Sequence, residues 1–183
     1  MRYTEFDLTP VIERKRELLE RSVEGRAVLA RPGLRLVECD VETVTLEPFV
    51  RHGEPVFVIA EGLMMYLTTD ARRRVFRKVR RLAAFTGELR FVFDLTPQSE
   101  EPVPGIVGRG LEAAMKRSTG GRSFERDARN RGDIMTDLRD AGFDDIKAVA
   151  SNEVARTWQL PHPDRRTHVV LFVARASSPT EQP

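Results

Sequence analysis

Five consecutive apolar residues, Val56–Ala60 (VFVIA), stand between Pro55 and the acid Glu61. A run this short, rich in β-branched and aromatic side chains, fits a strand covered on both faces, the signature of a parallel sheet flanked by helices. The neighbouring patterns agree. Residues 2–7 read as a strand, and Thr9 with Pro10 then opens a helix to about Val23, threonine as N-cap and proline at the first helical position. Residues 34–40 (LRLVECD) alternate apolar and polar side chains as a second strand. From Thr69, Val75, Val79, Leu82 and Ala83 share one helical face, while Arg72, Arg73, Arg77, Arg80 and Arg81 lie mostly elsewhere and read as a solvated side. A strand over 89–95, a helix over about 126–140 stopping at Gly142, and strands over 146–150 and 168–174 complete the alternation. Strand and helix in turn predict an α/β fold, mostly parallel, with helices on both faces.

The 183 residues, 40% of them hydrophobic, suit one domain over 1–176, with SSPTEQP (177–183) as a disordered tail. Residues 96–124 interrupt the rhythm with three prolines and repeated glycines and read as an inserted flap. Thirty Lys and Arg against 28 Asp and Glu leave a net charge of +2, which argues against a nucleic-acid partner. The apolar runs are strand-sized, so no membrane span is expected. One cysteine and an acidic N-terminal stretch predict a cytoplasmic protein. No His, Cys or acid cluster has metal-ligand spacing.

Ligands of such sheets bind beyond the carboxyl ends of the strands, where Asp7, Asp40 and Glu61 fall on three successive units. A carboxylate there can take both hydroxyls of a ribose, accept from an adenine amine, or pair with an ammonium group. Each acid could equally cap the helix that follows its strand. Glu61 stands too far ahead of the helix start at Thr68 or Thr69 to do so, and its apolar neighbours Ile59 and Leu63 predict that it is not exposed.

YTEFDLTPVIERKRELL, with Glu5, Asp7 and Lys15, resembles a segment of leucine carboxyl methyltransferase-type enzymes. VIAEGLMMYL is similar to that family's acid-containing signature through Ala60, Glu61, Gly62, Tyr66 and Leu67, and LRDAGFDD resembles its late helix-Gly-aromatic turn. The family includes relatives of the tetracenomycin polyketide O-methyltransferase. The resemblance implies a Rossmann-like methyltransferase fold using S-adenosyl-L-methionine, with Asp7 at the ribose, Asp40 and Val41 at the adenine and Glu61 at the methionine moiety. It also implies a small-molecule acid as methyl acceptor.

The family pattern starts with a strand and a glycine-rich loop, whereas Met1 lies six residues before Asp7 and the first glycine is Gly25. The first strand and loop are therefore expected to be missing, through a start codon assigned too late, as a fragment of a longer gene, or as a degenerate paralogue, with truncation favoured. An unpaired strand edge would then favour self-association. A carboxylate acceptor is already ionised near neutral pH, so no catalytic base is called for. Tyr66 could close over the methyl donor or belong to the core, and Arg109 and Arg117 of the flap could meet an acidic acceptor or simply be solvated. His52, His162 and His168 read as structural or solvated.

Overall fold

The computed structural model describes residues 1–97, 129–161 and 168–177. The flap beyond Pro97, with Arg109 and Arg117, His162 and the tail beyond Ser177 lie outside the described residues. The chain divides into two compact units, Met1–Phe49 and Val50–Pro183.

The first unit begins with β1 (Tyr3–Asp7), which pairs in parallel with β2 (Leu34–Glu38) in a register running from Tyr3 opposite Leu34 to Asp7 opposite Glu38. Between them lie α1 (Thr9–Glu20) and α2 (Val23–Leu29). One helix to Val23 was expected, and two are found. The apolar periodicity runs on through Leu18, Leu19 and Val23, but Ser22 turns extended and its hydroxyl accepts from the Gly25 amide at 2.9 Å, capping a new helix. Gly25 permits that join, because a Cβ there would lie 2.0 Å from the Leu19 carbonyl oxygen. The N-cap of α1 is Leu8 rather than the expected Thr9, and no side chain caps it. Ile12 is fully buried, Phe6 meets Phe49 edge-on at 4.9 Å, and Lys15 of α1 forms an ion pair with Glu5 of β1.

The second unit holds a four-stranded sheet of β3 (Val56–Ala60), β4 (Glu88–Leu95), β5 (Asp145–Ala150) and β6 (Val170–Ser177), in the order β3-β4-β6-β5. The β3–β4 pair is parallel, and β6 runs antiparallel to both its neighbours. The helices are α3 (Thr69–Arg81), α4 (Arg131–Asp140) and α5 (Ser151–Thr157), the last not foreseen. Alternate β4 residues Leu89, Phe91, Phe93 and Leu95 are buried, and the aromatic rings gather around Phe93. Phe93 stacks on Phe172 of β6 at 5.0 Å and meets Phe76 of α3 and Phe91 at 5.1 Å each.

α3 starts at Thr69, within the expected Thr68 or Thr69, and Thr68 caps it, its hydroxyl accepting from the Ala71 amide at 3.1 Å. Thr68→Ala should cost about 1 kcal/mol and lower the melting temperature by roughly 3 °C, and an unchanged melting curve would show the cap to be idle. The arginine face of α3 is not simply solvated. Arg72 is 1% exposed and donates from Nε to the Met64 carbonyl at 2.7 Å, while Arg73 donates to Asp137 of α4 at 2.9 Å. Arg80 reaches the Gly142 carbonyl just beyond α4. Periodicity marks where arginines fall on a helix, but not which of them find an acceptor on another element.

Candidate functional site

In the first unit the candidate site is the carboxyl edge of the β1–β2 pair. Asp7 ends β1, and its carbonyl accepts from the Cys39 amide at 2.9 Å, so the chain leaving β2 passes directly beside it. Asp40 follows one residue later, two beyond the end of β2 rather than within the strand. The two acids expected to serve the ribose and adenine thus come together on adjacent strand ends. Both already perform local work. Asp7 Oδ1 accepts from the Leu8 amide at 2.8 Å, and Asp40 Oδ1 accepts from the Glu42 amide at 2.9 Å. Asp40 also takes the Thr43 and Val44 amides on its carbonyl, closing a compact turn that carries the half-buried Val41. Among the described residues Asp7 Oδ2 has no hydrogen-bond partner, which leaves a half-buried acceptor suited to a hydroxyl.

In the second unit the site is the carboxyl edge of β3 and β4. Ala60 pairs with Phe93, so Glu61 and Asp94 follow at adjacent ends of two parallel strands. The Gly62 amide donates to Asp94 Oδ1 at 2.6 Å, and Gly62 has φ +64°, the left-handed region that glycine enters without strain. The chain then makes a single 3-10 turn over Met64–Tyr66, with Met64 and Leu67 buried and Tyr66 half-buried.

Glu61 departs from expectation. It is exposed, as are Phe57 at 60% and Ile59 at 57%, and among the described residues β3 is the outermost strand of its sheet, paired only with β4. The apolar run was read as a strand covered on both faces, and among the described residues its Phe57/Ile59 face is open. The Glu61 carboxylate makes no hydrogen bond or ion pair among the described residues, so it acts neither as a helix cap nor as a partner inside the fold. An unpaired carboxylate beside apolar side chains fits an ammonium ligand.

Asp94 was missed by sequence reading, although the signal that singled out Asp7, Asp40 and Glu61, an acid at a strand's carboxyl end, was present in LRFVFDL. Of the histidines, His52 is exposed and His168 half-buried. Among the described residues no group of His, Cys, Asp or Glu could hold a metal ion, and no helix is long and apolar enough to cross a membrane.

The family model for leucine carboxyl methyltransferase matches residues 1–80, the stretch that carries the YTEFDL and AEGLMMYL segments. A comparison with curated proteins finds no match. Among solved structures, a candidate methyltransferase from Thermobifida fusca YX is similar with a TM-score of 0.61 at 17% identity, over 97% of this chain and 64% of that one. A candidate O-methyltransferase from Nostoc punctiforme PCC 73102 gives 0.59 at 14% identity, over 96% and 45%. Human N-acetylserotonin methyltransferase in complex with S-adenosylmethionine gives 0.53 at 10% identity, over 97% and 41%. The chain therefore has the Rossmann-like methyltransferase fold, and it spans less than two thirds of each of these proteins.

Proposed function

We propose, for a chain whose residues 1–80 carry the leucine carboxyl methyltransferase pattern, that it is an S-adenosyl-L-methionine-dependent O-methyltransferase acting on the carboxyl group of a small acidic molecule. The observation that supports the reading is the Glu61 carboxylate at the end of β3, exposed and unpaired among the described residues; in the other unit, one Asp7 oxygen at the end of β1 is uncommitted. Asp7 takes the ribose hydroxyls, Asp40 the adenine amine beside Val41, and Glu61 the ammonium of the methionine moiety. Their donor needs fit that cofactor: hydroxyls, an amine and a cation all seek acceptor oxygens.

The cofactor, when bound, would supply a methyl group activated on a sulfonium, whose transfer to the acceptor carboxylate would yield an ester and a neutral thioether. No proton moves, because a carboxylate with a reference pKa of about 4 is already ionised near pH 7. The protein's part is alignment and exclusion of water, and no side chain need act as base. Tyr66, on the turn after Glu61, would border the transfer, and Arg109 and Arg117 would meet the acceptor's charge. Incubation with methyl-labelled cofactor and a panel of small acids tests the acceptor class. A methyl ester releases its label as methanol in mild alkali, and a base-stable labelled product would contradict carboxyl methylation.

Glu61→Gln keeps shape but loses the charge on one ligand contact. Cofactor affinity should fall about tenfold. Because Glu61 has no partner inside the fold among the described residues, the ligand-free melting temperature should stay within about 1 °C of wild type. An undiminished ligand-induced shift in melting would remove Glu61 from the site.

A second reading rests on β3 itself. Its outer edge is unpaired among the described residues and Phe57 and Ile59 are exposed, so a non-catalytic role in which two copies associate through that edge is the alternative. Sedimentation over a hundredfold concentration range distinguishes them: a monomer throughout contradicts association, and Phe57→Lys should disperse any dimer.

A further inference from the structure

We infer that Asp94 is a positioning residue for the Glu61 turn, fixing the direction in which Glu61 is presented. This rests on the cofactor reading above. Glu61 is exposed and has no side-chain partner among the described residues, so its bearing comes from its backbone alone. The following peptide is held from the neighbouring strand, where Asp94 Oδ1 accepts from the Gly62 amide at 2.6 Å. Locking that amide locks the peptide plane between residues 61 and 62. Gly62 sits at φ +64°, yet a Cβ placed there would meet nothing within 4 Å. Glycine is therefore required by the backbone conformation and not by space, and the Asp94 carboxylate is the group that holds the conformation.

The far end of the same turn is held as well. Arg72, 1% exposed, donates to the Met64 carbonyl at 2.7 Å, so the segment between Glu61 and Tyr66 is fastened by one acid from β4 and one arginine from α3. Two side chains from different elements bonding to one short turn set its shape before any ligand arrives, and preorganisation of this kind reduces the ordering cost of binding.

The bond requires an acceptor of carboxylate shape, whereas direct contact with a ligand would require the charge. Asp94→Asn and Asp94→Ala of the full chain separate the two. Amide hydrogen exchange without ligand is read at Gly62, with Phe93 in the adjacent ladder as the internal standard for folding. Asparagine, which retains an oxygen acceptor, should keep Gly62 protected, and alanine should speed its exchange about tenfold with Phe93 unchanged. Affinity for S-adenosylhomocysteine should follow the same order, near wild type for asparagine and about tenfold weaker for alanine. Unchanged Gly62 exchange in the alanine variant overturns the inference. So does an asparagine variant that loses affinity as fully as alanine, since the charge itself would then be the requirement. If the wild type binds no S-adenosylhomocysteine while Gly62 exchange still follows the predicted order, the cofactor reading is what fails, and the role toward cofactor falls with it.

Discussion

Replacing Phe93 with alanine is expected to remove about 4 kcal/mol of stability and lower the melting temperature by roughly 12 °C. Phe93 is 1% exposed and contacts rings on three sides, Phe76 from α3, Phe91 along its own strand and Phe172 from β6. Its removal deletes a large buried apolar surface and leaves a void bordered by rigid rings that cannot all close in. Phe57→Ala is the control. With Phe57 60% exposed at the sheet edge, the same truncation should cost less than about 1 kcal/mol. Denaturant melts of both variants check the pair, and equal losses would mean that β4 is not the centre of this unit's core.

Asp137→Ala should be the next most damaging change, at about 2 kcal/mol or roughly 6 °C. Asp137 is 6% exposed and receives Arg73 from α3 on one oxygen and Arg129 on the other. Its loss leaves two guanidinium groups without that acceptor and uncouples α3 from α4. The cost stays below that of a fully buried pair because Arg73 is partly exposed and regains water. A double-mutant cycle with Arg73→Ala should return a coupling of about 1 kcal/mol. Strict additivity would mean that the two side chains do not stabilise each other.

The elements legible in the sequence were those governed by local rules. β3 falls on Val56–Ala60 as read, and α3 starts at Thr69, within the expected Thr68 or Thr69, because apolar runs and helical periods are written in adjacent residues. The α/β class follows from the alternation, the Rossmann-like form came with the family resemblance, and that resemblance is matched over residues 1–80. The break between α1 and α2 was hidden, since the Ser22 cap lies inside a continuing apolar period. What depends on distant partners was not legible. Arg72 looked like one more surface arginine until the Met64 carbonyl stood beside it. Asp94 looked like a polar position in a strand until parallel pairing brought it beside the turn after Glu61. The expected shielding of Glu61 failed for a related reason. An apolar run records what a strand can tolerate on its faces, while whether another element covers a face is set by distant parts of the chain, and among the described residues the Phe57/Ile59 face is open.

For the candidate site, the strand-end rule singles out Asp7, Asp40 and Glu61, and the structure gives each a distinct condition. Asp7 and Asp40 are partly engaged in their own turns, whereas the Glu61 carboxylate is held by nothing among the described residues. That difference makes Glu61 the residue whose removal should be felt by a ligand and not by the fold.

Calorimetric titration of the full chain with S-adenosylhomocysteine tests the cofactor reading most directly. One saturable site is predicted, weakened about tenfold by Glu61→Gln while the variant melts like wild type. A folded protein that gives no saturable heat up to millimolar ligand would contradict it.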